Sequence, residues 1–301
     1  MNHPVDVASR ADAARLMKHV RLLELVARRD AVSWLSGDYL TSIRGEGLVF
    51  QEARKYVAGE SARLIDWNIT ARLGEPYVRV HHEERQREIM ILLDVSPSMG
   101  LGLHQKTKLE VAVELAASLA VAATEGGDKV GFVLFADRVL AESRPRGGRK
   151  QLLRLLREML VHAERPVRRV THTDPRVAIH ALGRYRGGRF VVFLISDLLD
   201  QDVPEDLRYL APRHDVSLLH VHDPYEWDRE APMVFSGYSP EGESSPRTFA
   251  ASDLGALELE QRRLAMAAAT YRIDFQSIPT TEPVPQALER LFHRKRRRLV
   301  R

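Results

Sequence analysis

Four short runs of apolar residues constrain the fold of this chain more than any other feature. The runs are Ile89–Leu93, Val130–Phe135, Phe190–Ile195 and Val216–Val221. A strand that is covered on both faces has no polar side, so such runs are typical of the buried strands of a parallel sheet. Helical patterns separate them, and this alternation predicts an α/β fold with an open, mostly parallel sheet flanked by helices.

Further elements flank this α/β pattern on both sides. An apolar stripe over Ala11–Val32 predicts a helix, and the alternating residues Tyr77–His81 predict a half-exposed strand at a sheet edge. Beyond Asp223 we expect, in order, two β-like pieces within Met233–Ala251, a helix over Leu254–Thr270, a strand over Tyr271–Ile278 and a helix over Ala287–Leu299. The chain is therefore divided into an N-terminal segment of one helix and short strands, residues 1–83, and an α/β domain with a C-terminal elaboration, residues 84–301.

Composition limits the chemistry that is available. None of the 301 residues is a cysteine, which excludes disulfides, thiolate-bound metals and a cysteine nucleophile. The 45 lysines and arginines nearly balance the 41 aspartates and glutamates, so the pI of about 9.4 gives little support for nucleic-acid binding. The most apolar stretch, Leu115–Ala123, is shorter than the roughly 20 residues of a membrane span. With no signal-peptide pattern either, we expect a cytoplasmic protein without a membrane span.

Polar side chains follow two of the predicted buried strands. Asp94 and Asp197 each come directly after an apolar run, at the strand ends where parallel sheets gather their ligands. Ser96 and Ser98 share a side with Asp94 because alternate residues of an extended chain do. Thr173 precedes a predicted helix and reaches the same edge. Two carboxylates and three hydroxyls form an all-oxygen site, which favours Mg²⁺, or Mn²⁺ or Ca²⁺ in its place.

These five residues resemble the metal-ion-dependent adhesion site of von Willebrand factor A domains. The resemblance implies that Ser96, Ser98 and Thr173 ligate Mg²⁺ directly or through water. It also implies that Asp94 and Asp197 mostly hold coordinated waters. An acidic residue of a partner protein then completes the octahedron. The implied function is metal-dependent protein–protein interaction on a von Willebrand factor A-like fold.

A second resemblance lies upstream of the α/β pattern. The segments that carry it are Gly45–Phe50, Arg54–Tyr56, Gly59–Glu60 and Arg63–Arg72. They are similar to the signature of domain-of-unknown-function family 58, which precedes a von Willebrand factor A core. The resemblance implies that the chain is a partner of a MoxR-type AAA+ ATPase, or of its client, in chaperone-like or complex-maturation work.

Two other functions are compatible with parts of the sequence. A metal-dependent phosphohydrolase would use Asp94 as its nucleophile. That mechanism needs a second carboxylate two residues later, where this chain has Ser96. Nucleic-acid binding would use the basic run Arg294–Arg298, which lacks interleaved aromatic residues. The sequence also lacks phosphate-loop and serine-hydrolase motifs, so we expect a protein that is not an enzyme.

Two smaller clusters each have a structural and a functional interpretation. Around Trp67, either a buried tryptophan lies beside an Asp66–Arg72 pair, or the segment forms a docking surface for a partner. His220 and His222 lie on one face of a strand near the same sheet edge. They are either satisfied within the fold or ligands of zinc, although a third ligand at short spacing is missing.

Overall fold

The computed structural model describes residues 18–29, 31, 53–57, 65–79, 86–100, 102, 106–164, 173–185, 188–198, 203–224 and 254–299. Two short strands, β1 (Ala53–Lys55) and β2 (Tyr77–Arg79), form a small antiparallel sheet. The main sheet consists of β3 (Glu88–Asp94), β4 (Lys129–Phe135), β5 (Val139–Arg146), β6 (Phe190–Ser196), β7 (Asp215–His222) and β8 (Asp274–Pro279).

The main sheet is open and mostly parallel. Its strands follow the order β5-β4-β3-β6-β7-β8, and every neighbouring pair is parallel except β4 with β5. The four apolar runs of the sequence form its four central strands, which confirms the predicted fold class. Strand β2 pairs with β1 in the small sheet, and the edges of the main sheet are β5 and β8.

Helices cover both faces of the main sheet. They are α1 (residues 18–29), α3 (Lys108–Glu125), α4 (Arg149–Glu164), α5 (Pro175–Gly183), α6 (Leu207–Leu210), α7 (Leu254–Thr270) and α8 (Val284–Leu299). Helix α2 (Trp67–Leu73) lies instead beside β2 of the small sheet, where Thr70 Oγ1 accepts the backbone N–H of Tyr77. One apolar core forms between the sheet and α1, α3, α4 and α8. A second core forms on the other face against α5, α6 and α7. Helix α3 is buried along most of its length because neighbouring helices cover the side that faces away from the sheet.

The N-terminal helix α1 packs onto the α/β core. Val20 and Ala27 join the same apolar cluster as α3 and α4. The buried carboxylate of Glu24 accepts hydrogen bonds from Arg28 at 3.2 Å and from Arg149 at 3.2 Å. Arg28 also bonds Glu125 at the end of α3. Apolar contacts and shared ion pairs together hold α1 against α3 and α4.

The C-terminal helix α8 lies along the edge strand β8. Arg290 and Arg294 donate to backbone carbonyls of that strand, at Ser277 and Phe275. Lys295 is buried, and its ammonium nitrogen lies 2.9 Å from Asp215 Oδ1 and 3.7 Å from Asp274 Oδ2. Within the described part of the basic run Arg294–Arg298, Arg294 and Lys295 therefore bond to other groups of the same protein.

Most element boundaries agree with the predictions to within a few residues. Helix α3 begins at Lys108, because Thr107 caps it and forms a capping box with Glu110. Helix α5 takes Asp174 as its cap, followed by Pro175. Strand β5 and helices α2 and α6 were not predicted, and the pieces expected within Met233–Ala251 lie outside the described residues. None of the described helices combines the length and apolar character that crossing a lipid bilayer requires.

Candidate functional site

The site lies where β3 and β6 end side by side. Leu93 pairs with Ile195, so Asp94 and Ser196 are neighbours at the carboxyl ends of the two strands. Asp94 Oδ2 accepts the hydroxyl proton of Ser196 at 2.6 Å, and Asp94 Oδ1 accepts the backbone N–H of Ser96 at 2.9 Å. The buried Asp94 carboxylate thereby fixes the loop after β3 to the neighbouring strand.

The two serines of this loop connect Asp94 to Asp197. Pro97–Gly100 form one turn of 3-10 helix, and the buried side chain of Met99 anchors that turn in the core. Ser96 Oγ and Ser98 Oγ are 3.0 Å apart. Ser98 Oγ donates to Asp197 Oδ1 at 3.3 Å. Four of the five predicted residues are therefore joined by a continuous chain of hydrogen bonds.

Thr173, the fifth predicted residue, lies at the same edge on the side of β4. Thr173 is buried immediately before α5. The backbone N–H of the next residue, Asp174, donates to the carbonyl of Ala136, just beyond the end of β4, at 2.9 Å. The backbone N–H of Val95 donates to the carbonyl of Phe135 at 2.9 Å. Both segments thus attach to the end of the same strand.

Lys108 is a member of this site that the sequence prediction missed. Its ammonium nitrogen lies 2.9 Å from Asp197 Oδ2, and the two side chains are only 1% and 3% exposed. Lys106, two residues earlier, pairs instead with Glu114 and is 47% exposed. Both lysines stand at the start of the same predicted helix, and only the three-dimensional fold distinguishes them.

The electrostatics of the site centre on Asp94. Two causes raise the pKa of Asp94 to about 7: burial is the larger, and the negative charge of Asp197 is the second. The hydrogen bonds from Ser196 and Ser96 act in the opposite direction, because they stabilise the carboxylate. Near neutral pH the carboxyl group of Asp94 is therefore easily protonated, and it lies close to the ion pair between Lys108 and Asp197.

Comparison with known proteins identifies the family. Residues 52–234 match the family described as "Protein of unknown function DUF58". The chain belongs to the DUF58 family. Uncharacterized proteins of Mycobacterium bovis and Mycobacterium tuberculosis are each 32% identical to this DUF58 chain over 224 residues, which cover 74% of it and 69% of the relative.

Solved structures are similar at lower identity. The protein BatB of Bacteroides thetaiotaomicron is 19% identical, with 70% of this chain and 99% of that one covered and a TM-score of 0.49. The SpRpn10 VWA domain is 15% identical, with 67% and 94% covered and a TM-score of 0.38. The sheet order described above, with the Asp94 loop at the end of a central strand, gives this DUF58 protein a von Willebrand factor A-like fold.

His220 and His222 lie beside the site and are held by the protein itself. Their rings stack with centroids 5.4 Å apart. Ser277 Oγ lies 3.0 Å from His222 Nδ1 and 3.4 Å from His220 Nδ1, and Gln261 Nε2 is 3.2 Å from His222 Nε2. Burial lowers the pKa of His220 to about 4 and that of His222 to about 3. Within the described part of the chain no three His, Asp or Glu side chains cluster as a zinc site would require, so zinc binding gains no support.

The segment around Trp67 does not contain the buried tryptophan that the structural interpretation predicts. Asp66 caps α2, since its carboxylate accepts the backbone N–H groups of Asn68 at 2.9 Å and Ile69 at 3.3 Å. Trp67 is 68% exposed. The interpretation of Trp67 as a buried residue is wrong, and a docking surface at this position stays a prediction.

Proposed function

We propose that this DUF58 protein is a non-catalytic interaction module. At the carboxyl edge of its sheet it binds a hard divalent cation, through which it holds an acidic side chain of a partner protein. One observation carries the proposal: Asp94, Ser96, Ser98 and Asp197 converge in one hydrogen-bonded cluster beyond two neighbouring strands. Thr173 would join them from the side of β4.

The chemistry of the cluster suits Mg²⁺. All the side chains offer oxygen, the donor that Mg²⁺ prefers, and the loop is already ordered by its own hydrogen bonds. Ser96, Ser98 and Thr173 would hold the cation, with the two aspartates behind them. Lys108 already neutralises Asp197. A cation bound here would keep much of its positive charge, which favours a carboxylate from the partner as a further ligand.

The partner class rests on family membership. The segment that resembles the signature of family 58 implies an AAA+ ATPase of the MoxR type, or the client on which such an ATPase works. A role in chaperone-like remodelling or complex maturation follows from that partner. The proposed role of the DUF58 protein is to hold the acidic side chain of the partner, while the ATPase supplies the energy.

Binding to a purified MoxR-type ATPase of the same organism tests this proposal. The assay omits ATP, because ATP would bring its own Mg²⁺ requirement. We expect binding in Mg²⁺, loss of binding in EDTA, and loss in the double variant Ser96→Ala, Ser98→Ala. The matched control is Ser118→Ala, which removes a buried hydroxyl from α3 outside the site.

Two results would contradict the proposal. If a folded double variant binds the ATPase as strongly as the wild type, the interaction does not depend on the cation. Turnover of a phosphate ester by the wild type, abolished by Asp94→Asn, would show catalysis at this site instead.

A further inference from the structure

We propose that Lys108 is the resident cation of this site and lowers its affinity for divalent metals by competing for Asp197. The inference rests on the proposed function and deepens it, because it names the residue that sets how strongly the cation binds. The ammonium group would keep the site intact without metal, and a divalent cation would bind against its repulsion.

The two oxygens of Asp197 face different groups. Oδ1 accepts the proton of Ser98 Oγ at 3.3 Å, on the side of the proposed ligands. Oδ2 lies 2.9 Å from the Lys108 ammonium nitrogen. A metal held by the serines and the ammonium of Lys108 would therefore lie on either side of one carboxylate. Like charges so close, in a site shielded from water, repel strongly.

Burial keeps Lys108 in place. The side chain is 1% exposed, and its first-turn position is fixed by the Thr107–Glu110 capping box. A buried ammonium group requires a counter-charge, since it has lost its hydration. Asp197 supplies that charge, so Lys108 cannot leave for solvent without rearrangement of the start of α3.

The position of Lys108 in its helix also supports the inference. Lys108 is the first residue of α3, where the positive end of the helix dipole disfavours a cation. The ion pair with Asp197 offsets that unfavourable placement. The ammonium group and the helix terminus together bring positive potential to Asp197 before any metal arrives.

The experiment compares Mn²⁺ affinity in the full chain by isothermal calorimetry and electron paramagnetic resonance. We expect Lys108→Met to bind Mn²⁺ at least about tenfold more tightly than the wild type, because it removes one like charge from the site. Lys106→Met is the matched control: it removes an exposed lysine from the same segment, and its affinity should stay within about twofold of the wild type. Thermal unfolding adds a second measurement, in which Mn²⁺ should stabilise Lys108→Met more than the wild type.

Equal or weaker Mn²⁺ binding by Lys108→Met would overturn the inference. If the wild type still binds Mn²⁺ through Ser96 and Ser98, the proposed function survives that result. If neither protein binds Mn²⁺, both proposals fail. Should Lys108→Met not fold without metal, Lys108→Gln takes its place under the same expectation. Recovery of the folded state in Mn²⁺ would support the inference, and failure of both variants to fold in saturating Mn²⁺ would overturn it.

Discussion

Ser196 donates its hydroxyl proton to Asp94 at 2.6 Å, and through this bond the end of β6 holds the end of β3. The same oxygen of Ser196 accepts the backbone N–H of Leu198 at 3.1 Å. Leu198 has a positive φ of 45°. One hydroxyl group therefore supports both the buried carboxylate of the site and an unfavourable backbone conformation.

Ser196→Ala should lower the free energy of unfolding by about 2–3 kcal/mol, because it takes a partner from a buried carboxylate and from a backbone N–H. Ser217→Ala in β7 is the control. Within the described residues the buried hydroxyl of Ser217 meets no hydrogen-bond partner, so its removal should be nearly neutral. Urea denaturation at pH 7 measures both variants. Equal stability of the two would contradict the role given to Ser196.

Mn²⁺ binding should depend on the protonation of Asp94. Burial and Asp197 raise the pKa of this carboxyl to about 7, and a cation favours the ionised form. Affinity should therefore increase by about tenfold between pH 6 and pH 8. Asp94→Asn should bind more weakly and lose this pH dependence. Calorimetry at the two pH values measures the effect, and a flat profile in the wild type would contradict it.

Acid should destabilise the fold through His220 and His222. Burial lowers both pKa values, to about 4 and about 3, whereas an unfolded histidine titrates near 6.5. The unfolded state then binds more protons, so their contribution is complete above about pH 6.5 and is lost as the pH falls towards 4. The raised pKa of Asp94 acts in the opposite direction between pH 7 and pH 5, so the loss is measured as the difference in pH dependence of the unfolding free energy between the wild type and His222→Gln, which should lose less stability. A wild type and a variant with identical pH dependence would rule out this contribution.

Trp67→Ala should leave stability unchanged to within about 0.5 kcal/mol, because an exposed side chain contributes little to packing. Asp66→Ala, its neighbour, should cost about 1 kcal/mol because it removes the cap of α2. Thermal unfolding of the two variants tests the contrast. A large loss in Trp67→Ala would show that the ring is packed after all.

The sequence predicted the central strands well because β3, β4, β6 and β7 are covered on both faces and need apolar residues throughout. Strand β5 was missed for the opposite reason. It lies at an edge, and its residues include Ser143, Arg144 and Pro145, which are typical of turns and exposed strands.

Within the site, the sequence predicted residues that follow a recognisable pattern or come directly after a buried strand, and it missed Lys108 and Ser196, which have neither signal. Asp94, Ser96 and Ser98 belong to one loop, and their pattern is visible along the chain. Lys106 and Lys108 both stand near the start of α3, but only Lys108 faces Asp197. No local pattern reports that orientation, because it follows from the way α3 packs on the sheet.

The hydrogen bonds that build the site join residues far apart in the sequence. Ser98 and Asp197 are 99 positions apart, and Asp94 and Ser196 are 102 positions apart. Contacts at such separation form only after much of the intervening chain has been ordered, and they slow folding. A nascent or truncated chain that lacks β6 has no second half of the site. A partner that binds this edge of the sheet, as proposed, would therefore bind only molecules in which both halves of the site have come together.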